Sequence, residues 1–365
     1  MIVKELRFEN YRNLENNSIT PADNVNVIYG ENAQGKTNLL EAIWLFCGGH
    51  SFRGSKENEM IAFEKKFFRL SLKFFSCKRE QTADIAFGQN RKQIWINGVE
   101  RSSSSYLTEI FSAVVFSPEH LNLIKRGPNI RRRFIDAAIC QHLVRYASLL
   151  SKYQQIINQR NALLKDIKKH SELKETLAIW DDSLTAVGAQ IMKERYDYLK
   201  KLRAPARLFH QGISGDKEIL DIEYQSTSKT EENDDIGTLR EKLRAAFLAS
   251  QREDFYSGYT SVGPHRDDLD FRINDISVRR FGSQGQQRSA VLSMKLSEAE
   301  LLYEKNGERP VILLDDVLSE LDNSRQDFLL NKVEQYQVFV TCCEESNKEQ
   351  LKNGRVFYIN NGVVT

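Results

Sequence analysis

The sequence predicts an α/β fold in which a P-loop domain is split by an inserted helical lobe. Three observations carry this. An apolar strand over 25–28 runs into Gly30, Gly35, Lys36 and Thr37, which fit G-x-x-x-x-G-K-[ST], and an apolar helix opens just after them at Asn38. A continuous apolar run over 311–314 ends in two adjacent acids, Asp315 and Asp316. Some 280 residues separate the two motifs, far beyond ordinary loop lengths, and the middle of that interval carries a helical period.

Composition bounds the rest. With 365 residues the chain can hold about two domains and bury a sizeable core, and 41% hydrophobic with 28% charged residues suits a globular protein rather than a disordered one. The opening MIVKELRFENYRNLE alternates apolar and charged residues, which reads as a strand and not as a signal-peptide core. No apolar run approaches the roughly 18 residues of a membrane span. Five cysteines, an odd count at scattered positions with Cys342 and Cys343 adjacent, point to a reducing, cytoplasmic setting and away from structural zinc. Net charge is only +2, yet residues 119–212 carry 18 Lys and Arg against 9 Asp and Glu. Such segregation is the footprint of a lobe that meets a polyanion.

Taken in order, residues 2–8 form a strand and Tyr11-Arg12-Asn13 a polar turn. The strand over 25–28 leads through the P-loop into a helix over 39–46, closed by Gly48-Gly49, and 50–59 reads as a polar surface loop. Period-two alternation over 67–75 and 82–87 predicts half-buried strands, and Asn97-Gly98 between 93–96 and Val99 signals a type I′ hairpin. A strand over 113–116 stops at Ser117-Pro118. Beyond Gly127-Pro128, three-and-four spacing predicts long helices over 130–162 and 173–208. A strand over 219–224 and an acidic stretch over 226–235, expected to be mobile, precede a helix over 239–247. Then come strands over 269–273 and 277–281, a helix over 286–303, the strand over 311–314, a helix over 324–334, and strands over 338–341 and 356–359. The expected domains are 1–118 and 259–365 as two parts of one ATPase domain, with a mainly helical lobe over 119–258.

The stretch Gly30-Glu31-Asn32-Ala33-Gln34-Gly35-Lys36-Thr37-Asn38 has what phosphate binding requires. Glycines let backbone N–H groups curl round the phosphates without Cβ clashes. Lys36 brings a point charge to the β- and γ-phosphates, Thr37 offers a hydroxyl to Mg²⁺, and the next helix aims its positive end at the same anion. Asp315 is the expected second ligand of that Mg²⁺, and Asp316 the expected base for an attacking water. Upstream, Ser283-Gln284-Gly285-Gln286 opens a helix, so Ser283, Gly285, Gln286 and the free N–H groups make a second anion site. One chain has no use for two γ-phosphate sites on one nucleotide. Two chains facing head-to-tail do, each covering the other's ATP.

In this order of Walker A, signature, Walker B and Ser319-Glu320-Leu321-Asp322 as a D-loop, the chain resembles the ABC-type ATPases. Among them it resembles the RecF family, bacterial recombination mediators related to SMC heads. The likeness is carried by Asn10-Tyr11-Arg12-Asn13-Leu14, GENAQGKTNLLEA from Gly30, Val115-Phe116-Ser117-Pro118-Glu119, Arg131-Arg132-Arg133-Phe134-Ile135-Asp136, Gly263-Pro264-His265-Arg266-Asp267-Asp268-Leu269, and the stretches 283–288 and 315–322. It runs end to end. The resemblance implies an ABC-type P-loop ATPase head split by an inserted helical lobe, with ATP and Mg²⁺ as cofactors. It implies a homodimer formed on ATP, a DNA-stimulated ATPase used as a switch, and binding to single-stranded or gapped DNA and ss–ds junctions. It further implies work with RecR and RecO in recombinase loading, replication recovery and SOS induction. Gln284 in place of the first glycine of the usual Ser-Gly-Gly-Gln, and Asp316 in place of Glu, are departures from the ABC pattern that the RecF family shares. The shorter carboxylate, with Thr341 where many ABC ATPases use His, points to slow hydrolysis.

Other sites remain open between readings. Arg12 and Asn13 are candidates for the base or ribose, against a capped turn after an edge strand. Residues 117–120 are a candidate γ-phosphate sensor where the sheet joins the helical lobe. His265, Arg266, Asp267 and Asp268 fit the nucleotide site, the dimer face or a turn network. Arg131, Arg132 and Arg133 with Lys165, Lys168 and Lys169 are candidates for DNA phosphates, against a solvated helix face. Three rival functions fit less well. A transporter's nucleotide-binding subunit leaves the basic lobe unexplained, an SMC-like structural ATPase needs long heptad arms, and a nuclease needs acids beyond Asp315 and Asp316.

Overall fold

The computed structural model describes residues 1–121, 123–168, 170–343 and 354–365. They form two compact units, one of Met1–Asn122, Gly212–Asp216 and Arg288–Thr365, the other of Leu123–Gln211 and Lys217–Gln287. Among the described residues, no helix is long and apolar enough to cross a membrane.

The first unit begins with β1 (Ile2–Glu9), β2 (Asn17–Ile19), β3 (Val25–Tyr29), α1 (Lys36–Trp44), β4 (Phe67–Ser76), β5 (Arg79–Gly88), β6 (Arg91–Ile96), β7 (Val99–Arg101), α2 (Leu107–Ile110), β8 (Ala113–Phe116) and α3 (Pro118–Leu121). Strands β2-β1-β4-β5-β6-β7 make an antiparallel sheet. Its alternation is strict: Phe68, Leu70, Leu72 and Phe74 of β4 are buried, and the residues between them face out. Asn97 and Gly98 both take positive φ, as the hairpin between β6 and β7 demands.

The second unit holds α4 (Pro128–His142), α5 (Val144–Ile167), α6 (Leu177–Ser214, whose end lies in the first unit), β9 (Leu220–Gln225), α7 (Ile236–Ser257), β10 (Asp268–Ile273), β11 (Ile276–Ser277), α8 (Val278–Phe281) and the start of α9 (Gln284–Asn306). Four expectations need correction here. The helix expected over 130–162 breaks at Leu143, which is extended at φ −138°, with no proline or glycine to mark it. Residues 278–281 are helical, not a strand, the Gly282 N–H closing the turn on the Val278 carbonyl at 3.0 Å. The stretch over 226–235 is pinned rather than mobile. Thr227 donates both its N–H and its hydroxyl to Asp267 at 2.7 Å, and Tyr196 donates to the Thr230 carbonyl at 2.7 Å. Finally, β10 pairs with β9 from Asp268↔Gln225 to Ile273↔Leu220, so this unit runs on to Gln287, past the boundary at 258 read from the sequence.

The first unit resumes with β12 (Val311–Leu314), α10 (Asn323–Val333), β13 (Val338–Cys342), β14 (Arg355–Asn360) and β15 (Val363–Val364). A second sheet of order β15-β14-β3-β13-β12-β8 is parallel from β14 to β8. Every residue of β8, β12 and β13 is buried, as a parallel sheet covered on both faces requires. Register sets Thr341 beside Ile28, and Leu314 beside both Val340 and Phe116. The carboxyl ends of four parallel strands therefore lie side by side, where α/β sheets bind their ligands.

Candidate functional site

At the end of β3, Gly30 passes so close to the neighbouring strand β14 that a Cβ on it would lie 2.3 Å from the Ile359 carbonyl oxygen. Gly35 takes φ +119° and is the N-cap of α1 with no side-chain cap, which leaves the first N–H groups of α1 to an incoming anion. Lys36 is folded onto its own loop, donating to the carbonyls of Gly30 at 2.7 Å and Glu31 at 2.9 Å and approaching Cys343 Sγ at 3.1 Å. The Asn32 amide oxygen accepts from the Cys343 thiol at 3.0 Å. Ala33 takes φ 66°, and Gln34 accepts from the Asn361 N–H through its side chain and from the Gly362 N–H through its carbonyl. The β14–β15 turn thus holds the loop in shape.

Thr37 donates to Asp315 Oδ1 at 2.8 Å. Two residues 278 apart in sequence thus meet where β12 and β3 end with β13 between them. Thr341 binds the acidic pair together: its hydroxyl donates to Asp315 at 3.3 Å and accepts the Asp316 N–H at 2.8 Å. Burial pushes the Asp315 pKa up, against the opposing bonds from Thr37 and Thr341. The Thr37 hydroxyl and the Asp315 carboxylate are hard oxygen donors within one coordination sphere's reach, a set that fits Mg²⁺. Asp316 is only partly buried, at φ 53°, and Ser319 donates to its carbonyl at 2.9 Å. At the end of β8, Ser117 and His120 Nδ1 are 3.1 Å apart, and burial, with Lys295 nearby, pushes the His120 pKa well down, so its ring is neutral.

A second cluster flanks α1. The Glu41 side chain is fully buried and accepts from Tyr11 at 2.9 Å, from Arg12 Nε and Nη2 at 2.9 and 3.0 Å, from Arg53 Nη2 at 2.7 Å, and from Ser51. Burial raises the Glu41 pKa, but the bonds and charges of Arg53, Ser51 and Arg12 outweigh it and hold the carboxylate below its ordinary value. Arg53 also donates to Asn38 at 2.6 Å, and Asn38 donates to Asn13 at 2.6 Å. Sequence reasoning had Arg12, Asn13 and Asn38, but not Arg53, Ser51 or Glu41. The polar stretch 50–59 gave no sign that Ser51 and Arg53 reach inward. The one clue was a carboxylate on the otherwise apolar helix after the P-loop.

Ser283, Gly285 and Gln286 belong to the second unit, at the N-terminus of α9. Ser283 Oγ accepts the Gln286 N–H at 3.2 Å, while the Gln286 side chain accepts the Ser283 N–H at 2.8 Å, a complete capping box. Ser283 is exposed, as is Phe281 just before it. His265 to Asp268 form a turn network. His265 bridges Tyr153 and the Thr260 carbonyl at 3.1 Å each, and Asp267 is tied to Tyr224 and Thr227. The arginine run needs the sharpest correction. Arg131 is fully buried, bonded in bidentate fashion to Asp268 at 2.6 and 2.8 Å and to the carbonyls of Leu123 and Ile124. Arg132 donates to the Asp267 carbonyl at 2.6 Å, and only Arg133 is exposed. Lys165 and Lys168 are exposed, and Lys169 lies outside the described residues.

The chain matches the model of the RecF/RecN/SMC N-terminal domain over residues 2–365. Fold and site together define its class: an ABC-type ATPase head interrupted by a helical region, of the kind RecF and SMC proteins share. The chain belongs to the RecF family. It is 38% identical over 368 residues to the DNA replication and repair protein RecF of Bacillus cereus (strain G9842), covering 100% of this chain and 98% of that one. The RecF of Ruminiclostridium cellulolyticum is 40% identical over 355 residues, covering 97% and 95%. Among solved structures, the recombination mediator protein RecF with ATP, of the RecFOR pathway, is 39% identical at a TM-score of 0.92, covering 100% of this chain and 97% of that one. An Smc head domain from Pyrococcus furiosus, 15% identical at a TM-score of 0.54 and covering 100% and 95%, shares the fold alone.

Proposed function

We propose that the chain is a cytoplasmic, ATP-dependent DNA-binding protein of recombinational repair that dimerises on ATP and hydrolyses it slowly. The observation that carries this reading is the meeting of Thr37 and Asp315 at 2.8 Å beneath the N-terminus of α1, in a member of the RecF family. The N–H groups of the loop hold the phosphates, and Lys36 exchanges the carbonyls of Gly30 and Glu31 for phosphate oxygens. Thr37 and Asp315 would hold Mg²⁺, which when bound offsets phosphate charge. Asp316 takes the proton of the attacking water, with Thr341 fixing its backbone. Arg12 and Asn13 serve the base or ribose. Ser283 accepts within its own helix cap but keeps its hydroxyl proton, so it can donate to a phosphate carried by a second copy, with Gly285 and Gln286 beside it.

The family supports the wider role: binding of single-stranded or gapped DNA and ss–ds junctions, DNA-stimulated turnover used as a switch, and RecR and RecO as partners in recombinase loading, replication recovery and SOS induction. Sedimentation of the full chain with and without ATP, repeated with gapped duplex, tests the central step. Wild type should dimerise with ATP, whereas Ser283→Arg should bind ATP normally yet stay monomeric and inactive. A dimer that forms as readily in Ser283→Arg would reduce this motif to a helix cap. A wild type that stays monomeric under every condition would sink the mechanism.

A further inference from the structure

Gln286 closes the capping box of α9 with a long side chain, which at a helix end has several rotamers open to it. Here both ends of its amide are engaged. The oxygen accepts the Ser283 N–H at 2.8 Å, and Nε2 donates to Glu218 Oε1 at 2.8 Å. Glu218 lies between α6 and β9, 68 positions upstream, and its other oxygen is 3.0 Å from His210 Nε2. A carboxylate only accepts, so that nitrogen carries the proton. The His210 side chain is wholly buried and that of Glu218 is 23% exposed. All four residues belong to the second unit. A buried ring on α6 thus anchors a carboxylate, and the carboxylate anchors the amide. As a charged acceptor, Glu218 also polarises the amide, which strengthens its grip on the Ser283 N–H. With the box closed, Ser283 Oγ stays on the Gln286 N–H at 3.2 Å, which leaves its hydroxyl proton for an acceptor outside the helix.

We infer that Glu218 is a positioning residue: backed by His210, it locks Gln286 against Ser283, so that the N-terminus of α9 is set for a second copy's phosphate before that copy arrives. The inference rests on the reading of Ser283 as a contact across an ATP-bound pair. A double-mutant cycle on the full chain tests it, with pairing measured by sedimentation with ATP and ATP affinity by fluorescence titration of the dilute protein. A pair would hold two such sites, so Glu218→Leu should weaken ATP-induced pairing about tenfold and leave ATP affinity within about twofold. Gln286→Met, which keeps the length and removes the amide, should do the same. The double variant should lose no more than about twofold beyond either single one, because both act through one bond. Glu218→Asp shortens the bridge but leaves His210 a carboxylate, and it carries the cycle if Glu218→Leu does not fold. Losses that multiply to about a hundredfold overturn the inference, since a merely structural Glu218 would act independently of Gln286. Glu218 variants that pair as wild type does, while Ser283→Arg stays monomeric, overturn this inference alone. A Ser283→Arg protein that pairs normally removes the reading of Ser283, and this inference with it.

Discussion

Both units hold cations against acids and carbonyls, but the P-loop of the first leaves those bonds open to exchange, whereas three arginines of the second have theirs closed off. Lys36 rests on two carbonyls of its own loop, and Thr37 on Asp315, at the rim where strands end. A phosphate or a cation can replace each partner without unfolding anything. In the second unit, Arg131 meets Asp268, Arg160 meets Asp181 and Asp254 at 2.7 Å each, and Arg195 meets Asp136 at 3.0 Å, all three guanidiniums almost wholly buried. Removing one partner there strands a charge away from water. Charged and polar side chains thus stay exchangeable in one place and form a scaffold in the other, and the supply of local partners decides which.

One expected effect lies on the open side. Lys36→Met removes charge-assisted bonds worth about 1.5–3 kcal/mol each, so ATP affinity should fall on the order of 100-fold or more. The circular dichroism spectrum should not change, since the variant loses only bonds that a ligand would displace. Normal affinity in a fluorescence titration would refute the assignment of residues 30–37.

Next comes the contrast within the arginine run. Arg131→Ala should cost about 3–5 kcal/mol, because Asp268 and two buried carbonyls lose their partner. Arg133→Ala should stay within about 0.5 kcal/mol. If DNA lies on this face, Arg133→Ala should instead lower the slope of log K against log salt by about 1, the share of one phosphate. Urea denaturation and DNA titration at several salt concentrations separate the two. Equal stability losses would erase the distinction between the buried and exposed arginines.

That contrast also explains what could be read in the sequence. The P-loop, Walker B and the hairpin at Asn97-Gly98 were legible because each spacing encodes a backbone geometry that few sequences satisfy by chance. Four strands of the parallel sheet were read as strands from apolar runs at 25–28, 113–116, 311–314 and 338–341, while their parallel pairing was not. Arg131 and Arg132 were misread because the groups that engage them, the Asp268 carboxylate and the Asp267 carbonyl, lie 137 and 135 positions away. A charge count over 119–212 cannot see them. Arg53 escaped for the same reason: its partner Glu41 sits on another element, and only the fold brings them together.

A further effect sharpens the closed side through pH. Burial lowers the His265 pKa to about 4, with Arg266, Arg132 and Arg160 adding to it against the opposing bond to the Thr260 carbonyl. That carbonyl can only accept, so Nε2 carries the proton in the folded state and Nδ1 accepts from Tyr153. Unfolded, the imidazole titrates near 6.5. Between these values the unfolded chain binds the extra proton and the folded chain does not, so stability falls as pH drops from about 6.5 towards 4. The full loss is on the order of 3 kcal/mol, present below the folded pKa and absent above the unfolded one. Replacing the ring by His265→Gln keeps a donor for Thr260 but removes the titration, so its stability should vary less than that of wild type across this window. Denaturant melts at pH 7 and pH 5 measure the difference, and parallel pH dependences would mean that His265 titrates normally and its turn opens to water.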